Sequence, residues 1–578
     1  TRMDKAPQVK LNSTAHYFLE GLNDIGVEYL FSNFGTDHAP LIEEMARWKK
    51  AGKAYPKVLN CPHENTAMHM AAGFAMATGR GQAVMVHVDA GTANSAMAMH
   101  NARRGRLPLV LMAGKAPYTV RGELPGSRDN YVHFIQEPFD QSGIVRPYAK
   151  WEWTLPSGVM TKETLRRAHT VAHSDPMGPV YLMLPRETLT QTWEEAAMRP
   201  FPAERYGAVR SGAADAALVA QLAEKLLSAK HPVMVASYAG RNPEAPGLIE
   251  ELARFAGIRV FEASPLYLNI SRASPCFAGM MPAIAEADVG LLVDVDVPWI
   301  PKHTKENPGT WWAHIDVDVV KECFPIWGFA SNARLQGDSY LILSQLLEVL
   351  KAKATPAFRE AAAKRLQTMQ REGDERHAIL GRQAADKGKK GAINPHYLCA
   401  EVSNALGDDG VVVNEGIRNG PVVNAQIMRT RPGSSIGFAG GGLGSSSGTA
   451  LGIKLARPEA TVVQMVGDGG FYFGNPSSVY AVSKQYRLPI FTVLFDNSGW
   501  SAVKEATLRV YPEGEAKATN EFNALLAPEV EFTKICEAAG GYGEKVTDPD
   551  AVPDAIRRCL KEVRGGRSAL MHVRIPVL

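Results

Sequence analysis

The sequence predicts an α/β protein built from three consecutive domains, each a parallel sheet flanked by helices. Short β-rich apolar runs alternate with helix-like stretches along most of the chain, which is the pattern of βαβ units. The 578 residues exceed the roughly 250 to 300 at which a single core stops growing. Two polar stretches, near 192–216 and 358–395, interrupt the pattern and predict domains at 1–190, 205–350 and 375–578.

Two segments of the chain are similar to each other. "GFAMATGRGQAVMVHVDAG" (73–91) aligns without gaps to "GIKLARPEATVVQMVGDGG" (452–470), and an Arg-Leu-Pro turn before a buried strand follows in both regions. Chance similarity between any two βαβ units is the alternative. Two matches in the same order favour related first and third domains flanking a different one.

Composition excludes several classes of partner. The formal charge is +3, and no basic block is interleaved with aromatic residues, so nucleic acid is not expected. The apolar runs fall short of the roughly 18 residues needed to span a bilayer, and no secretory leader is recognisable. The cysteines form no Cys-X-X-Cys pair, which argues against a zinc site or a disulfide framework. We expect a cytoplasmic protein.

A glycine-rich stretch indicates a phosphate site. "GFAGGGLGSSSGTALGIKLA" (437–456) opens an apolar helix, where free N–H groups and the helix dipole favour a phosphate. Asp468 follows the next strand, as the ribose-binding acid of a dinucleotide site would. The GxGxxG spacing is broken, however, and a further glycine follows Asp468.

The next predicted strand ends in "FDNSGW", which brings Asn497 to the same sheet edge. A carboxylate, an amide oxygen and a loop carbonyl are hard ligands suited to Mg²⁺ on a diphosphate. A capping Asp and a turn Asn are the alternative reading of the two residues.

Gly-Asp-Gly followed, after a helix and a buried strand, by Asn resembles the metal and diphosphate signature of thiamine diphosphate enzymes. The similarity covers nearly the whole chain, with the order pyrimidine-binding, central and diphosphate-binding domain seen in acetolactate synthases and benzoylformate decarboxylases. It implies that Asp468 and Asn497 bind Mg²⁺ by side chain and Gly499 by its carbonyl. The other cofactor-binding residues implied at this end are Asn414, Glu415, Gly442, Gly467, Gly469 and Gly470.

Two features depart from the family pattern. Asp496 precedes Asn497 where the family usually has Asn-Asn, and Asn497 lies slightly farther from Asp468 than in the family. We assign the extra length to "FYFGNPSS" (471–478) and expect a different loop over the diphosphate there.

The pyrimidine end is implied by "HENTAMHMAAGFAMATG", which resembles the family's "HE…A…AAGYA…TG" pattern. Its glutamate, Glu64, would hydrogen-bond the pyrimidine and promote deprotonation of the thiazolium carbon. Taken alone, a Glu in a first helical turn is usually a surface residue. Leu443 matches the apolar residue that props the cofactor into its bent shape. The family arrangement places each site between two subunits, which implies a homodimer or homotetramer.

The substrate groups carry a weaker resemblance. His87 in "VHVDAGTAN" corresponds to the proton-transferring histidine of "HSAAGTGN" in benzoylformate decarboxylase, and His303 in "VPWIPKH" to a second pocket histidine. Thr36 corresponds to a pocket serine, with His38 nearby. Trp500 and Val503 lie on the helix expected to face the substrate. Val503 stands where pyruvate decarboxylases have a catalytic Glu, and His133 stands alone where they have paired histidines.

The resemblance implies a thiamine diphosphate- and Mg²⁺-dependent enzyme that acts on a 2-oxo acid and, in a carboligase, on an acceptor aldehyde. The alternatives are an acetolactate-synthase-like carboligase, in which a flavin is possible but not indicated, and a non-catalytic cofactor-binding homologue. The sequence does not identify the substrate.

Overall fold

The computed structural model describes residues 10–577 and, within them, three six-stranded parallel sheets flanked by helices. This confirms the predicted fold class. The strands of the three sheets fall at 29–185, 232–336 and 410–574, inside the three predicted segments.

The first sheet has the strand order β3-β2-β4-β5-β7-β6, and β1 pairs antiparallel with β8 outside it. The strands of this segment are β1 (Leu11–Ser13), β2 (Tyr29–Ser32), β3 (Lys57–Asn60), β4 (Ala83–Val86), β5 (Val110–Lys115), β6 (Glu152–Thr154), β7 (Val180–Pro185) and β8 (Thr192–Glu194). Its helices are α1 (Thr14–Asp24), α2 (Ala39–Lys50), α3 (Glu64–Thr78), α4 (Val88–Arg104), α5 (Val132–Ile135), α6 (Thr161–His173), α7 (Arg186–Thr190) and α8 (Ala203–Tyr206).

The central sheet has the order β11-β10-β9-β12-β13-β14. Its strands are β9 (Pro232–Ala236), β10 (Arg259–Glu262), β11 (Phe277–Gly279), β12 (Val289–Val293), β13 (Trp311–Asp316) and β14 (Ala333–Gln336). Its helices are α9 (Ala216–Ser228), α10 (Ala245–Ala256), α11 (Ser339–Lys353) and the 30-residue α12 (Pro356–Ala385). The polar stretch after residue 358 is thus mostly one long helix.

The third sheet has the order β18-β17-β19-β20-β22-β21, and β15 pairs with β16 outside it. The strands are β15 (Gly388–Lys389), β16 (Ala392–Ile393), β17 (Gly410–Glu415), β18 (Ser435–Ile436), β19 (Thr461–Gly467), β20 (Phe491–Asp496), β21 (Tyr542–Val546) and β22 (Ala569–Arg574). The helices are α13 (Pro395–Ala405), α14 (Gly420–Gln426), α15 (Ser446–Ala456), α16 (Asp468–Phe473), α17 (Pro476–Tyr486), α18 (Ser501–Val510), α19 (Glu515–Thr519), α20 (Thr533–Ala538) and α21 (Val552–Arg564).

The first and third sheets share one strand order. When the six strands of each sheet are numbered in chain order, the first and third sheets both run second, first, third, fourth, sixth, fifth. The central sheet runs third, second, first, fourth, fifth, sixth. The predicted relationship between the two outer domains is therefore confirmed at the level of topology.

The predicted long loop at 471–478 is wrong. Residues 471–473 complete α16, Gly474 and Asn475 form the turn, and Pro476 begins α17. Proline is favoured in a first helical turn, where its missing N–H costs nothing, and Asn475 adopts the left-handed backbone (φ 52°) that Asn tolerates. The added length therefore forms a helical corner.

The described residues pack as two compact units, 10–209 with 439–456 and 210–438 with 457–577. In the first unit α15 packs against α3 through a glycine on each helix. A β-carbon on Gly73 would lie 2.2 Å from the carbonyl oxygen of Thr449, and one on Gly452 would lie 2.0 Å from that of Met70. Only glycine allows this approach of the two backbones.

None of the described helices is long and apolar enough to cross a membrane. All six cysteines, which lie among the described residues, are free thiols.

Candidate active site

The second unit brings the predicted metal ligands to the carboxyl ends of β19 and β20. Asp468 is the first residue of α16, directly after β19, and Asn497 directly follows β20. The two strands are parallel neighbours, so both side chains leave the same edge of the sheet. Asp468 and Asn497 are both buried.

One backbone amide joins these two side chains. The Gly499 N–H donates to Asp468 Oδ2 at 3.2 Å and to Asn497 Oδ1 at 3.1 Å, while Asp468 Oδ1 accepts from the Gly469 amide at 2.9 Å. The turn is fixed on both sides of Gly499, because the Trp500 amide donates to Ala524 O and the Leu526 amide to Ser498 O. The structure thus brings the three predicted ligands together.

The donor set fits a hard divalent cation. Burial, with smaller contributions that include the nearby Asp496 charge, raises the pKa of Asp468 to about 7. A desolvated carboxylate beside an amide oxygen is stabilised by Mg²⁺, which prefers oxygen ligands. Among residues 10–577 no group of three or more His, Cys, Asp or Glu side chains is arranged to hold a metal ion, so a metal here would depend on amide and carbonyl oxygens as well.

Asp496 is bound by two side chains of the neighbouring strand β22. Its Oδ2 lies 2.7 Å from His572 Nε2 and 2.7 Å from Arg574 Nη1, both on β22, and its Oδ1 accepts from the Ser498 amide at 2.9 Å. Burial alone would raise the pKa of this carboxyl, but the bonds from His572 and Arg574 outweigh it and hold the pKa well below its usual range. Asp496 therefore anchors the turn that carries Asn497.

The predicted glycines around Asp468 have different surroundings. A β-carbon on Gly467 would meet no atom within 4 Å, whereas one on Gly469 would lie 2.2 Å from the Trp500 ring. One on Gly470 would lie 3.7 Å from the buried carboxylate of Glu415. Asn414 is fixed to its own loop, with Oδ1 accepting from the Gly416 amide and Nδ2 donating to Gly420 O, each at 3.0 Å. Gly467 is thus an open backbone surface beside the predicted metal ligands.

Helix α18, which follows the turn of Asn497 and Gly499, exposes apolar side chains. No residue of α18 is buried, and Val503 is 47% exposed. Trp500, at the N-cap, packs edge-on against Phe473. His303 lies in an exposed turn of the same unit, and the described contacts do not bring it to any other predicted site residue.

Glu64 begins α3 in the first unit and is buried. Its Oε2 accepts a hydrogen bond from Asn94 Nδ2 on α4 at 3.0 Å. Gly91 makes room for it, because a β-carbon there would lie 3.3 Å from Glu64 Oε1. The helix is capped by the His63 side chain, which accepts from the Asn65 amide. The carboxylate is therefore fixed by two helices.

The glycine-rich stretch before α15 is held against α4 in this unit. Asn101 Nδ2 donates to Gly442 O at 2.9 Å and Asn101 Oδ1 accepts from the Gly442 amide at 3.1 Å. Gly440, Gly441 and Gly444 all have positive φ, the left-handed region that glycine enters without cost. Leu443, between them, is half-buried.

His87, between β4 and α4, lies in a polar cluster. Its Nδ1 lies 2.6 Å from Asp37 Oδ1 and its Nε2 lies 2.7 Å from Gln136 Oε1. Thr36 Oγ1 lies 3.0 Å from His133 Nε2, which brings His133 to this cluster without supplying the paired histidine. The sequence analysis missed Asp37 and Gln136, although Asp37 lies between two residues that it did single out.

His38 lies behind this cluster. It is fully buried, its Nδ1 accepts from the Gly35 amide at 2.9 Å, and burial lowers its pKa. Its Nε2 lies 3.5 Å from Asp37 Oδ2. This burial argues against the predicted direct contact with substrate and favours an influence through Asp37.

Comparisons with known proteins agree with this geometry. The N-terminal TPP binding domain of thiamine pyrophosphate enzymes matches residues 12–144, and the C-terminal TPP binding domain matches residues 421–573. Benzoylformate decarboxylase of Pseudomonas aeruginosa is 27% identical over 90% of this chain and 90% of its own. Acetolactate synthase of Bacillus subtilis is 23% identical over 87% of this chain and 84% of its own.

A solved structure extends the similarity to the fold. The thiamine diphosphate-dependent 4-hydroxybenzoylformate decarboxylase of Rhodococcus jostii RHA1 superposes with a TM-score of 0.76 at 21% identity, covering 98% of this chain and 100% of that one. Both TPP-binding domains of the family are present in their usual order. The chain therefore belongs to the thiamine pyrophosphate-dependent enzymes, among the relatives of benzoylformate decarboxylase and acetolactate synthase.

Proposed function

We propose that this protein is a thiamine diphosphate- and Mg²⁺-dependent 2-oxo acid decarboxylase or carboligase of the benzoylformate decarboxylase type. The observation that carries the proposal is the pairing of Asp468 and Asn497 on one amide. When bound, thiamine diphosphate supplies a nucleophilic carbon that stabilises the negative charge left by departing CO₂.

The chain's own residues would divide the work of binding this cofactor. Asp468, Asn497 and the Gly499 carbonyl would hold Mg²⁺, with the open backbone at Gly467 facing the diphosphate. Glu64, fixed by Asn94, would bind the pyrimidine ring. The remaining contacts would come from Asn414, Glu415, Gly442, Leu443, Gly469 and Gly470.

His87, Thr36, Trp500 and Val503 would contact the substrate. His303 stays a prediction, with no contact that supports it. Val503 offers no proton, so proton transfer would fall to His87. The partial exposure of His87 and the 27% identity to a benzoylformate decarboxylase support this assignment.

An acetolactate-synthase-like carboligase, with an acceptor aldehyde or second 2-oxo acid, is the second candidate, supported by the 23% identity to such an enzyme.

The proposal includes no flavin. Lys321 Nζ lies 2.8 Å from Asp316 Oδ2 and 2.9 Å from Asp296 Oδ1, and Arg241 lies 2.8 Å from Asp294. These ion pairs follow the carboxyl ends of the central strands, where nucleotides bind in such sheets.

We further propose a cytoplasmic homodimer or homotetramer. The segment after β5 exposes large apolar side chains, among them Tyr131 and Phe139 at 74% and 114%. Exposed apolar surface of this kind is typical of subunit contacts. Free thiols at all six cysteines suit a reducing compartment.

A product screen tests the reaction. The protein, loaded with thiamine diphosphate and Mg²⁺, is given aliphatic and aromatic 2-oxo acids with and without an acceptor aldehyde. Aldehyde and CO₂ would identify a decarboxylase, and a 2-hydroxy ketone a carboligase. Cofactor binding without turnover of any 2-oxo acid would contradict the proposal and indicate a non-catalytic homologue.

A further inference from the structure

Asp37 is a buried carboxylate whose main partner is a predicted substrate residue. It lies in the turn after β2 and is 0% exposed. Its Oδ1 is 2.6 Å from His87 Nδ1, the short distance of a charge-assisted hydrogen bond. An ionised carboxylate only accepts, so Nδ1 carries the hydrogen.

Two glycines make space for this pair. A β-carbon on Gly114, in β5, would lie 1.3 Å from Asp37 Oδ2, and one on Gly35 would lie 1.9 Å from His87 Nδ1. Neither approach is compatible with any other residue type. The local backbone is therefore built around the contact between Asp37 and His87.

The second ring nitrogen of His87 also faces an acceptor. Nε2 lies 2.7 Å from the amide oxygen Oε1 of Gln136, just after α5. An amide oxygen accepts and does not donate. With an acceptor at each nitrogen, this arrangement suits a ring that carries two N–H groups and a positive charge.

We propose that Asp37 is a positioning residue that holds His87 as an imidazolium, whose Nε2–H is the proton offered to the substrate. The use of that proton rests on the proposed function. Formation of an aldehyde from a 2-oxo acid anion consumes one proton at the carbon that loses CO₂. The Nε2–H bond would break, its electron pair would stay on nitrogen, and a C–H bond would form. Neutral His87 would keep Nδ1–H on Asp37 and regain its proton from solvent.

The surrounding charges act in both directions. The charge of Asp37, and that of Asp89 in the first turn of α4, favour the charged form of the His87 ring. The charges of His38 and His133 and the burial of His87 oppose it. Arg186, on α7, acts on His133. The hydrogen bond to Asp37 is the largest of these influences, and the pKa of His87 is raised above its ordinary value.

The test uses diethyl pyrocarbonate, which acylates neutral imidazole, on the full-length protein with and without thiamine diphosphate and Mg²⁺. Labelling of the His87 peptide is followed by mass spectrometry from pH 5 to 9, with the exposed His231 as reference for reagent reactivity. The parent is compared with Asp37→Asn and with Asp89→Asn, which removes a half-buried charge from the same surroundings.

We expect the labelling midpoint of His87 to lie above the ordinary value of about 6.5 in the parent. It should fall by about one pH unit or more in Asp37→Asn, which raises labelling roughly tenfold at pH values well below both midpoints, and shift less in Asp89→Asn. A parent midpoint at or below the ordinary value, or an equal midpoint in Asp37→Asn, would overturn the proposal. The parent measurement stands even where Asp37→Asn fails to fold.

Labelling requires no turnover, so the two proposals fail separately. The expected shift in a protein that processes no 2-oxo acid would overturn the proposed function and leave the Asp37 assignment intact. Turnover without the shift would do the reverse.

Discussion

Asp468 and Asn497 leave neighbouring parallel strands and each place one side-chain oxygen within 3.2 Å of the same amide, that of Gly499. This shared amide fixes the spacing of two oxygens that are separated along the chain by the rest of α16, by α17 and by β20.

Replacement of Asp468 by Asn should weaken cofactor binding in the presence of Mg²⁺. The variant keeps the shape but removes the charge that a divalent cation needs. Because losing even a group that orients a metal ligand costs 10- to 100-fold, we expect the Kd for thiamine diphosphate to rise at least about tenfold. Calorimetric titration measures it, with the exposed Asp550→Asn as the control. Equal Kd values for parent and Asp468→Asn would contradict the metal assignment.

Gly467 and Gly469 should respond differently to alanine. A methyl group on Gly467 has open space around it, so Gly467→Ala should unfold at the parent's temperature but bind thiamine diphosphate more weakly. Gly469→Ala meets the Trp500 ring at 2.2 Å and should lower the free energy of unfolding by about 1–3 kcal/mol. Thermal unfolding without cofactor, followed by titration, separates the two effects. Unchanged affinity in Gly467→Ala would place the diphosphate elsewhere.

The pair formed by Asp37 and His87 should give stability a particular pH dependence. The pKa of His87 is raised, chiefly by its bond to Asp37, so its contribution is complete below the unfolded value of about 6.5 and is lost as the pH rises through the folded value. Burial would raise the pKa of Asp37, but the charges and bonds of His38 and His87 hold it lowered, so its contribution is lost as the pH falls. Asp37→Asn should therefore lower the unfolding temperature most between about pH 4 and 6.5.

Melting curves of parent and Asp37→Asn across that range check this dependence. Asp89→Asn serves as the matched control, since it removes a neighbouring half-buried charge. A stability difference that is constant from pH 4 to 9 would show that the pair is not ionised.

Contact between α3 and α15 should depend on both helix glycines. Gly73→Ala and Gly452→Ala each push a methyl group into a carbonyl oxygen about 2 Å away, and we expect each to cost about 1–3 kcal/mol. Gly381→Ala on α12, where a β-carbon meets nothing within 4 Å, should be neutral or stabilising by up to about 1 kcal/mol. Urea unfolding measures all three. Equal midpoints would mean that the helices separate readily.

The sequence predicted most of the architecture because its signals are local. Buried strands, polar breaks and the repeated helix-turn-strand pattern were enough for three α/β segments and for the relationship of the outer two. The pairing of Asp468 with Asn497 was also predictable, since both residues end adjacent strands.

Long-range contacts were not predictable from the sequence in the same way. Asp496 is explained by His572 and Arg574, which are more than 70 positions away. His87 meets Asp37 and Gln136 only because three loops of one sheet edge converge. The helical corner at 471–478 was read as a loop because the longer spacing between Asp468 and Asn497 was assigned to it.

The most direct test of the account concerns Glu64. Exchange of the C2 proton of bound thiamine diphosphate is measured by quenched-flow NMR at saturating cofactor and Mg²⁺ in the parent, in Glu64→Gln and in the exposed control Glu43→Gln. The account predicts fast exchange in the parent and the control, and exchange slowed about 100-fold or more in Glu64→Gln. Exchange in Glu64→Gln as fast as in the parent would contradict it.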